Sequence, residues 1–248
     1  MKHLRQIRPL CSQLSHYPRT PTPYTILSRC NSTNQSPSIP TPPLPPTSQH
    51  HDLPSFLAYA TRTSLSPTST TYVGTHYEYT VLHSLRSYAL DLTRIGGRAD
   101  SGIDLVGTWR LSSQHTPLRV IVQCKALRNK LGPNLIRELE GTFAGAPAGW
   151  RGEGILGLLV SPREATKGVR DALAKSRFPL MWILADAEDG AIRQALWNGR
   201  ASDVGLGGLG VQVQHVIDSG DVVKQKIILT WDGHELKRGD ASAKEGTP

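Results

Sequence analysis

Gly96-Gly97-Arg98-Ala99-Asp100-Ser101-Gly102-Ile103-Asp104-Leu105-Val106-Gly107, resumed at Val120-Ile121-Val122-Gln123-Cys124-Lys125, reads as a glycine-rich loop and two strands. The first strand carries a carboxylate and the second ends in a polar-x-lysine pair. Both hold β-branched apolar residues, and Ser112-Ser113-Gln114-His115-Thr116-Pro117 between them is turn material. A symmetric antiparallel hairpin pairs Leu111 with Leu118 and sets Asp104 opposite Lys125. Side chains alternate along a strand, so Gln123 shares their face one diagonal step away. A carboxylate, an amide oxygen and an ammonium crowded at one hairpin end suit a metal and a phosphate better than a core.

Around this hairpin the chain divides by composition. Residues 1 to 51 hold five basic residues (Lys2, Arg5, Arg8, Arg19, Arg29) and no acidic ones, among many Ser, Thr and Pro. Such a segment cannot bury enough apolar surface to order itself. Its composition is that of a mitochondrial transit peptide, or of a tail with no address. The whole chain has 28 basic and 20 acidic residues, a net charge of +8. With the leader set aside, 23 basic residues face 20 acidic ones, so the folded part is only mildly basic and its charge argues weakly for nucleic acid. Three scattered cysteines exclude a disulfide framework or zinc knuckle and fit a reducing compartment. No apolar run is long enough to span a membrane.

The expected layout is a leader over 1–50, a linker over 51–71 with a short helix at 52–60, a folded domain over 72–235 and a disordered tail over 236–248. Val81, Leu82, Leu85, Tyr88 and Ala89 recur at helical spacing, which predicts a helix from Tyr77 to Leu92. A helix opens at Gly132-Pro133, and Ile155–Val160 reads as a strand buried on both faces. Ser161-Pro162-Arg163-Glu164 reads as a capping box that opens a helix carrying Val169 and Leu173. Leu180–Leu184 is then a second buried strand, parallel to the first through the crossover. Asp189–Trp197 looks helical, and Val211–Ile217 with Val222–Trp231 forms a hairpin. The fold class is α/β, a mixed sheet flanked by helices.

Glu78 lies on the packing stripe of its helix. Either it sits in the first turn, favoured by the dipole, or it is paired or metal-bound. Glu78, Asp104, Gln123 and Lys125 together supply hard oxygen donors and a cation, which metal-assisted phosphodiester hydrolysis requires. The competing reading makes Asp104 and Lys125 a cross-strand ion pair of little energetic value. Gly205-Leu206-Gly207-Gly208-Leu209-Gly210 lacks a following helix and a Lys-Ser/Thr pair, so it reads as a connector. Cys124 points away from Gln123 and Lys125, as a small buried residue. The five tryptophans read as core or edge aromatics.

Gly74-Thr75-His76-Tyr77-Glu78, Gly97-Arg98-Ala99-Asp100-Ser101-Gly102-Ile103-Asp104-Leu105 and Gln123-Cys124-Lys125 resemble the three motif blocks of Mrr-type restriction endonucleases, in the PD-(D/E)xK superfamily. The resemblance runs from about Gly74 to Asp186. With the import-like leader, the chain resembles the fungal mitochondrial family named "required for respiratory growth". The resemblance implies a restriction-endonuclease-like fold and a Mg²⁺- or Mn²⁺-dependent nuclease supporting mitochondrial genome maintenance. It makes Asp104 a metal-binding aspartate and Lys125 the catalytic lysine. Gln123 stands where the superfamily more often has Glu or Asp, and Glu78 is the helical glutamate. Asp104, Gln123 and Glu78 are thus the implied metal ligands. Asp100 matches a loop aspartate, read first as a brace for the glycine turn. Implied partners are nucleic acid, with DNA first, and a second copy in a homodimer; the implied location is the mitochondrial matrix. The alternative is a catalytically inactive member that binds or organises nucleic acid.

Overall fold

Leu105–Trp109 (β2) and Leu118–Cys124 (β3) form the expected antiparallel hairpin. They do so in a computed structural model that describes residues 40–41, 49–96, 101–111, 116–217 and 223–236, with backbone alone for 216–217 and 223–226. The register differs from the symmetric one by two residues. Trp109, not Leu111, faces Leu118, and Leu105 faces Val122. Leu111 leaves the ladder to bury in the core, and Arg110 N–H donates instead to the Ala89 carbonyl at 3.1 Å. The next pair towards the open end is therefore Asp104 with Gln123, so Asp104 does not face Lys125 directly. A slip of two residues alone would preserve which side chains share a face, but the expected common face of Asp104 with Gln123 and Lys125 is lost, because strand alternation breaks between Ile103 and Val106.

Six strands form the main sheet in the order β1-β2-β3-β4-β5-β6. Leu90–Arg94 (β1) flanks β2, and Ile155–Ser161 (β4) and Leu180–Ala185 (β5) run parallel to β3. Ile192–Trp197 (β6) closes the far side antiparallel to β5. The parallel β4–β5 pair is the crossover read from sequence, and both strands are almost wholly buried. Trp109, Trp150 and Trp182 are completely buried, as core aromatics.

Two strands stand where helix was expected. The helix α2 runs Thr70–Arg86, capped by Ser69, and stops before Leu90. Ala89 takes φ 63, a left-handed conformation that ends the helix. Leu90 and Leu92 then alternate inward about exposed Asp91, a strand pattern that also happens to continue the helical stripe. Ile192–Trp197 contains good helix formers, but pairing along β5 decides its conformation after a tight turn in which Gly190 N–H donates to the Asp186 carbonyl. The capping box is also corrected. Ser161 is the buried last residue of β4 and accepts from Trp182 Nε1 at 3.2 Å, while Thr166 caps helix α4 (Lys167–Lys175) through Val169 N–H.

Helix α1 (Leu53–Arg62), capped by Asp52, lies within the stretch read as linker; Phe56 and Ala60 on it are buried. Helix α3 (Asn134–Gly145) buries Leu135, Ile136 and Leu139. The main sheet separates two layers. Tyr77, Val81 and Leu85 of α2 pack with Leu105, Val120, Val122, Leu158 and Val160. Residues of α3 and α4 pack with Leu159 and Trp182 on the other face. Gly199–Ala201 and a π-helical turn over Ser202–Leu206 lead into Leu209–Ile217 (β7), so the glycine-rich stretch is a connector that opens a strand. Val223–Trp231 (β8) and His234–Glu235 (β9) complete a three-stranded sheet. No helix among the described residues is long and apolar enough to cross a membrane.

Candidate active site

Asp104 sits where β2 and β3 part. Its N–H donates to the Val122 carbonyl at 2.9 Å, and its own carbonyl accepts from both Ile95 and Gly96. One carboxylate oxygen, Oδ2, accepts from Cys124 N–H at 2.6 Å. Strand alternation breaks here. Ile103 and Val106, three residues apart, bury in one cluster, which a regular strand forbids. The break lets the Asp104 side chain close the fork.

The other oxygen, Oδ1, faces Gly96. A Cβ on Gly96 would lie 3.3 Å from Asp104 Oδ1 and 3.3 Å from Glu78 Oε2. Two carboxylates from different elements thus converge on one missing side chain. Glu78 lies two turns inside α2, not in its first turn, so the dipole reading of this residue does not hold. Its side chain is 13% exposed and accepts from Arg94 Nε at 2.5 Å. Arg94, at the end of β1, also lies over the Tyr79 ring at 5.5 Å.

Gln123 and Lys125 belong to the other layer. Gln123 pairs across the parallel ladder with Leu159, which packs on α3, and its neighbour Cys124 pairs with Val160 on the α2 side. Gln123 is 3% exposed, and its Oε1 has no hydrogen-bond partner among the described residues. Its Nε2 packs at the glycine turn, 3.0 Å from where a Cβ on Gly102 would stand, and Gly102 there takes φ 79. Lys125 extends the ladder through N–H to the Val160 carbonyl and pairs through Nζ with Glu138 Oε2 of α3 at 2.9 Å. Glu138 Oε1 accepts from Asn134.

The structure therefore joins Glu78 to Asp104 and sets Gln123 and Lys125 together on the α3 face, at the same end of the hairpin. Asp100 and the glycine-loop residues 97–99 lie outside the described residues. Cys124 packs half-buried against the α2-side core, on the side opposite Gln123 and Lys125 as expected. Burial first, then the carboxylates of Asp104 and Glu78, pushes its thiol well up.

Sequence reasoning missed Arg94, Gly96 as the gap between the carboxylates, and Glu138. Arg94 was hidden by reading its strand as the run-out of a helix. Glu138 lies between Ile136 and Leu139 in a helix and carries no spacing signal. Among the described residues no three His, Cys, Asp or Glu side chains cluster to hold a metal. The available donors for a hard cation are two converging carboxylates and one orphaned amide oxygen, a set suited to Mg²⁺ or Mn²⁺ rather than zinc.

Comparison with known proteins assigns the sequence to a family. The sequence model of the family described as "Required for respiratory growth protein 7" matches residues 69–116 and 110–213, more than half of the chain and every described residue of the site. The chain belongs to this family. A Schizosaccharomyces pombe protein named as mitochondrial is 32% identical over 155 residues, covering 61% of each chain. The Saccharomyces cerevisiae (strain ATCC 204508 / S288c) protein named "Required for respiratory growth protein 7, mitochondrial" is 29% identical over 173 residues, covering 52% of this chain and 71% of its own. A relative of the same name in Zygosaccharomyces rouxii is 28% identical over 156 residues, 46% of this chain and 64% of its own. The matched region spans about three fifths of the S. pombe relative.

Proposed function

We propose that this chain is a mitochondrial metal-dependent nuclease with a restriction-endonuclease-like core, hydrolysing phosphodiester bonds in nucleic acid. The observation that carries the reading is the convergence of Asp104 and Glu78 on Gly96 at the strand fork. The mixed sheet, an antiparallel hairpin followed by a parallel crossover, supports it, as does the motif resemblance. The relatives' mitochondrial names and the acid-free leader support the location, and the matrix is the compartment we assign.

Asp104 and Glu78 would hold Mg²⁺ or Mn²⁺, which when bound activates a water and offsets phosphate charge; Gln123, the third donor that the motif resemblance implies, would join them only by turning its amide out of the α3 layer. The Cys124 amide fixes the Asp104 carboxylate through Oδ2, with Oδ1 turned towards Gly96. Arg94 neutralises Glu78, so Glu78 contributes a donor only as the guanidinium gives way. Lys125 is 27% exposed and Glu138 46%, a partly solvated pair worth about 0–1 kcal/mol. Exchanging Glu138 for a phosphate oxygen therefore costs Lys125 little, and its ammonium then stabilises developing negative charge.

A second reading, a non-cleaving module that binds nucleic acid, draws on the same Arg94–Glu78 pair, which already occupies one carboxylate. Labelled DNA and RNA incubated with the full chain and Mg²⁺ or Mn²⁺ separate the two. Cleavage abolished by Asp104→Ala and by Lys125→Ala supports the nuclease. Salt-sensitive binding without cleavage supports the module. Neither binding nor cleavage removes both.

A further inference from the structure

Strands β3, β4 and β5 run parallel, so the loops that leave them open on one side of the sheet. The loops over 126–130, 162–166 and 186–188 bound a cleft there. It has two adjoining halves, of about 520 and 600 Å³, which share Arg128, Pro162, Arg163 and Asp186. Ligands of open α/β sheets sit outside the carboxyl ends of the strands, in spaces of about 300–1,000 Å³. Ala126 follows Lys125 directly, so the cleft begins beside the lysine end of the hairpin.

The halves differ in chemistry. One carries rings: Tyr72 and His76, one turn apart on α2, stack with centroids 5.9 Å apart and 19° between their planes. Both are half-buried, and buried Phe56 packs against Tyr72 at 5.4 Å, which holds that ring in place. The other half is cationic, with Lys130 joining the shared Arg128 and Arg163, all three exposed. Arg128 and Lys130 make no ion pair or hydrogen bond among the described residues, and the Arg163 side chain donates only to the Leu127 carbonyl, at 3.4 Å. Arg193 pairs with Asp186 at 3.6 Å, so Glu164 is the one carboxylate left to offset three cations in this half.

We propose that the cleft holds one unpaired nucleotide of the substrate strand, which makes single-stranded nucleic acid the substrate class. Its base lies against the Tyr72 and His76 rings, where Glu188 can accept an amino group of the base. Its phosphate lies on Arg128, Lys130 and Arg163. A base still paired and stacked in a duplex keeps its faces from the rings, whereas an unpaired base offers them freely. An acidic peptide would satisfy the cations and leave the rings idle. The proposal rests on the nuclease reading for what happens to the strand at Lys125, but binding is read without metal.

Fluorescence anisotropy of the full chain in EDTA, with a short labelled DNA strand of mixed sequence and with its duplex, tests it. The strand should bind about tenfold tighter than the duplex or better, and Tyr72→Leu should remove about tenfold of that affinity while Tyr72→Phe keeps it. Arg128→Gln with Lys130→Gln, both at exposed positions, should lower the slope of log affinity against log salt by about 1.4, at about 0.7 per phosphate contact. Duplex binding as tight as strand binding overturns the proposal, as does strand binding that these variants leave unchanged. A free mononucleotide that binds as tightly as the strand also overturns it. Metal-dependent cutting with no preference for single strands removes this proposal and keeps the nuclease; strands held in the cleft but never cut do the reverse.

Discussion

Arg94 and Glu78 are 14% and 13% exposed, so water does little to screen either charge. Arg94→Ala leaves the carboxylate buried without its cation and is expected to cost about 3 kcal/mol in urea unfolding. The double replacement Arg94→Met with Glu78→Leu should cost much less, because it removes both charges while keeping volume. Cys124 supplies a second residue-level check. Its native thiol is pushed up by burial and by Asp104 and Glu78, so the folded chain holds a proton that the unfolded chain releases near about pH 8.5. That part of the stability is intact below this value and falls as pH rises above it, and Cys124→Ala reduces the slope. At neutral pH iodoacetamide should label Cys124 only after unfolding. The meeting of Glu78 with Asp104 was partly legible in the sequence, since a carboxylate on a packing stripe demands a partner. That the partner would include Arg94 was not, because a helical spacing of apolar residues ran through Tyr88 and Ala89 into a strand.

At the scale of elements, the buried runs of β4 and β5 and the alternating hairpins read correctly, because burial on both faces or one leaves a distinct pattern. β1 and β6 did not. Their residues suit a helix locally, and only pairing with β2 and β5 fixes them as strands. One side chain ties these elements together. Asn198, 6% exposed, accepts from Leu180 and Ala201 N–H and donates to the Leu173 and Phe178 carbonyls. Asn198→Ala orphans these buried groups, and we expect a loss of about 3 kcal/mol. Asn198→Asp should be as damaging, since it keeps the acceptor but turns a carboxylate towards carbonyls. Thermal unfolding of both variants checks this. Gly107 sets the β1–β2 spacing: a Cβ there would lie 2.0 Å from the Asp91 carbonyl oxygen, so Gly107→Ala should cost about 3 kcal/mol or more.

Across the whole molecule, the described structure reaches further towards the N-terminus than composition suggested. Phe56 is 1% exposed and packs edge-on against His50 and tilted against Tyr72 and Tyr79, while Tyr79 OH donates to the His50 carbonyl. A chain beginning at Tyr72 should therefore melt several degrees below one beginning at Gln49, as differential scanning calorimetry would show. The short helix expected at 52–60 is present as α1, but its polar, Ser- and Thr-rich flanks concealed that it packs into the body, since one buried aromatic and one buried alanine make a faint stripe. The site depends on all these layers: α2 delivers Glu78, β1 delivers Arg94, the fork delivers Asp104, and α3 restrains Lys125. Cleavage of phosphodiester bonds is the activity we propose for this assembly. Its most direct test is Mn²⁺-dependent cleavage of end-labelled DNA and RNA strands by the full chain beside Asp104→Asn, which keeps the side-chain volume and removes the charge. Metal-dependent cutting by the parent and none by the variant are expected; equal cutting by both, or none by either, refutes the nuclease assignment.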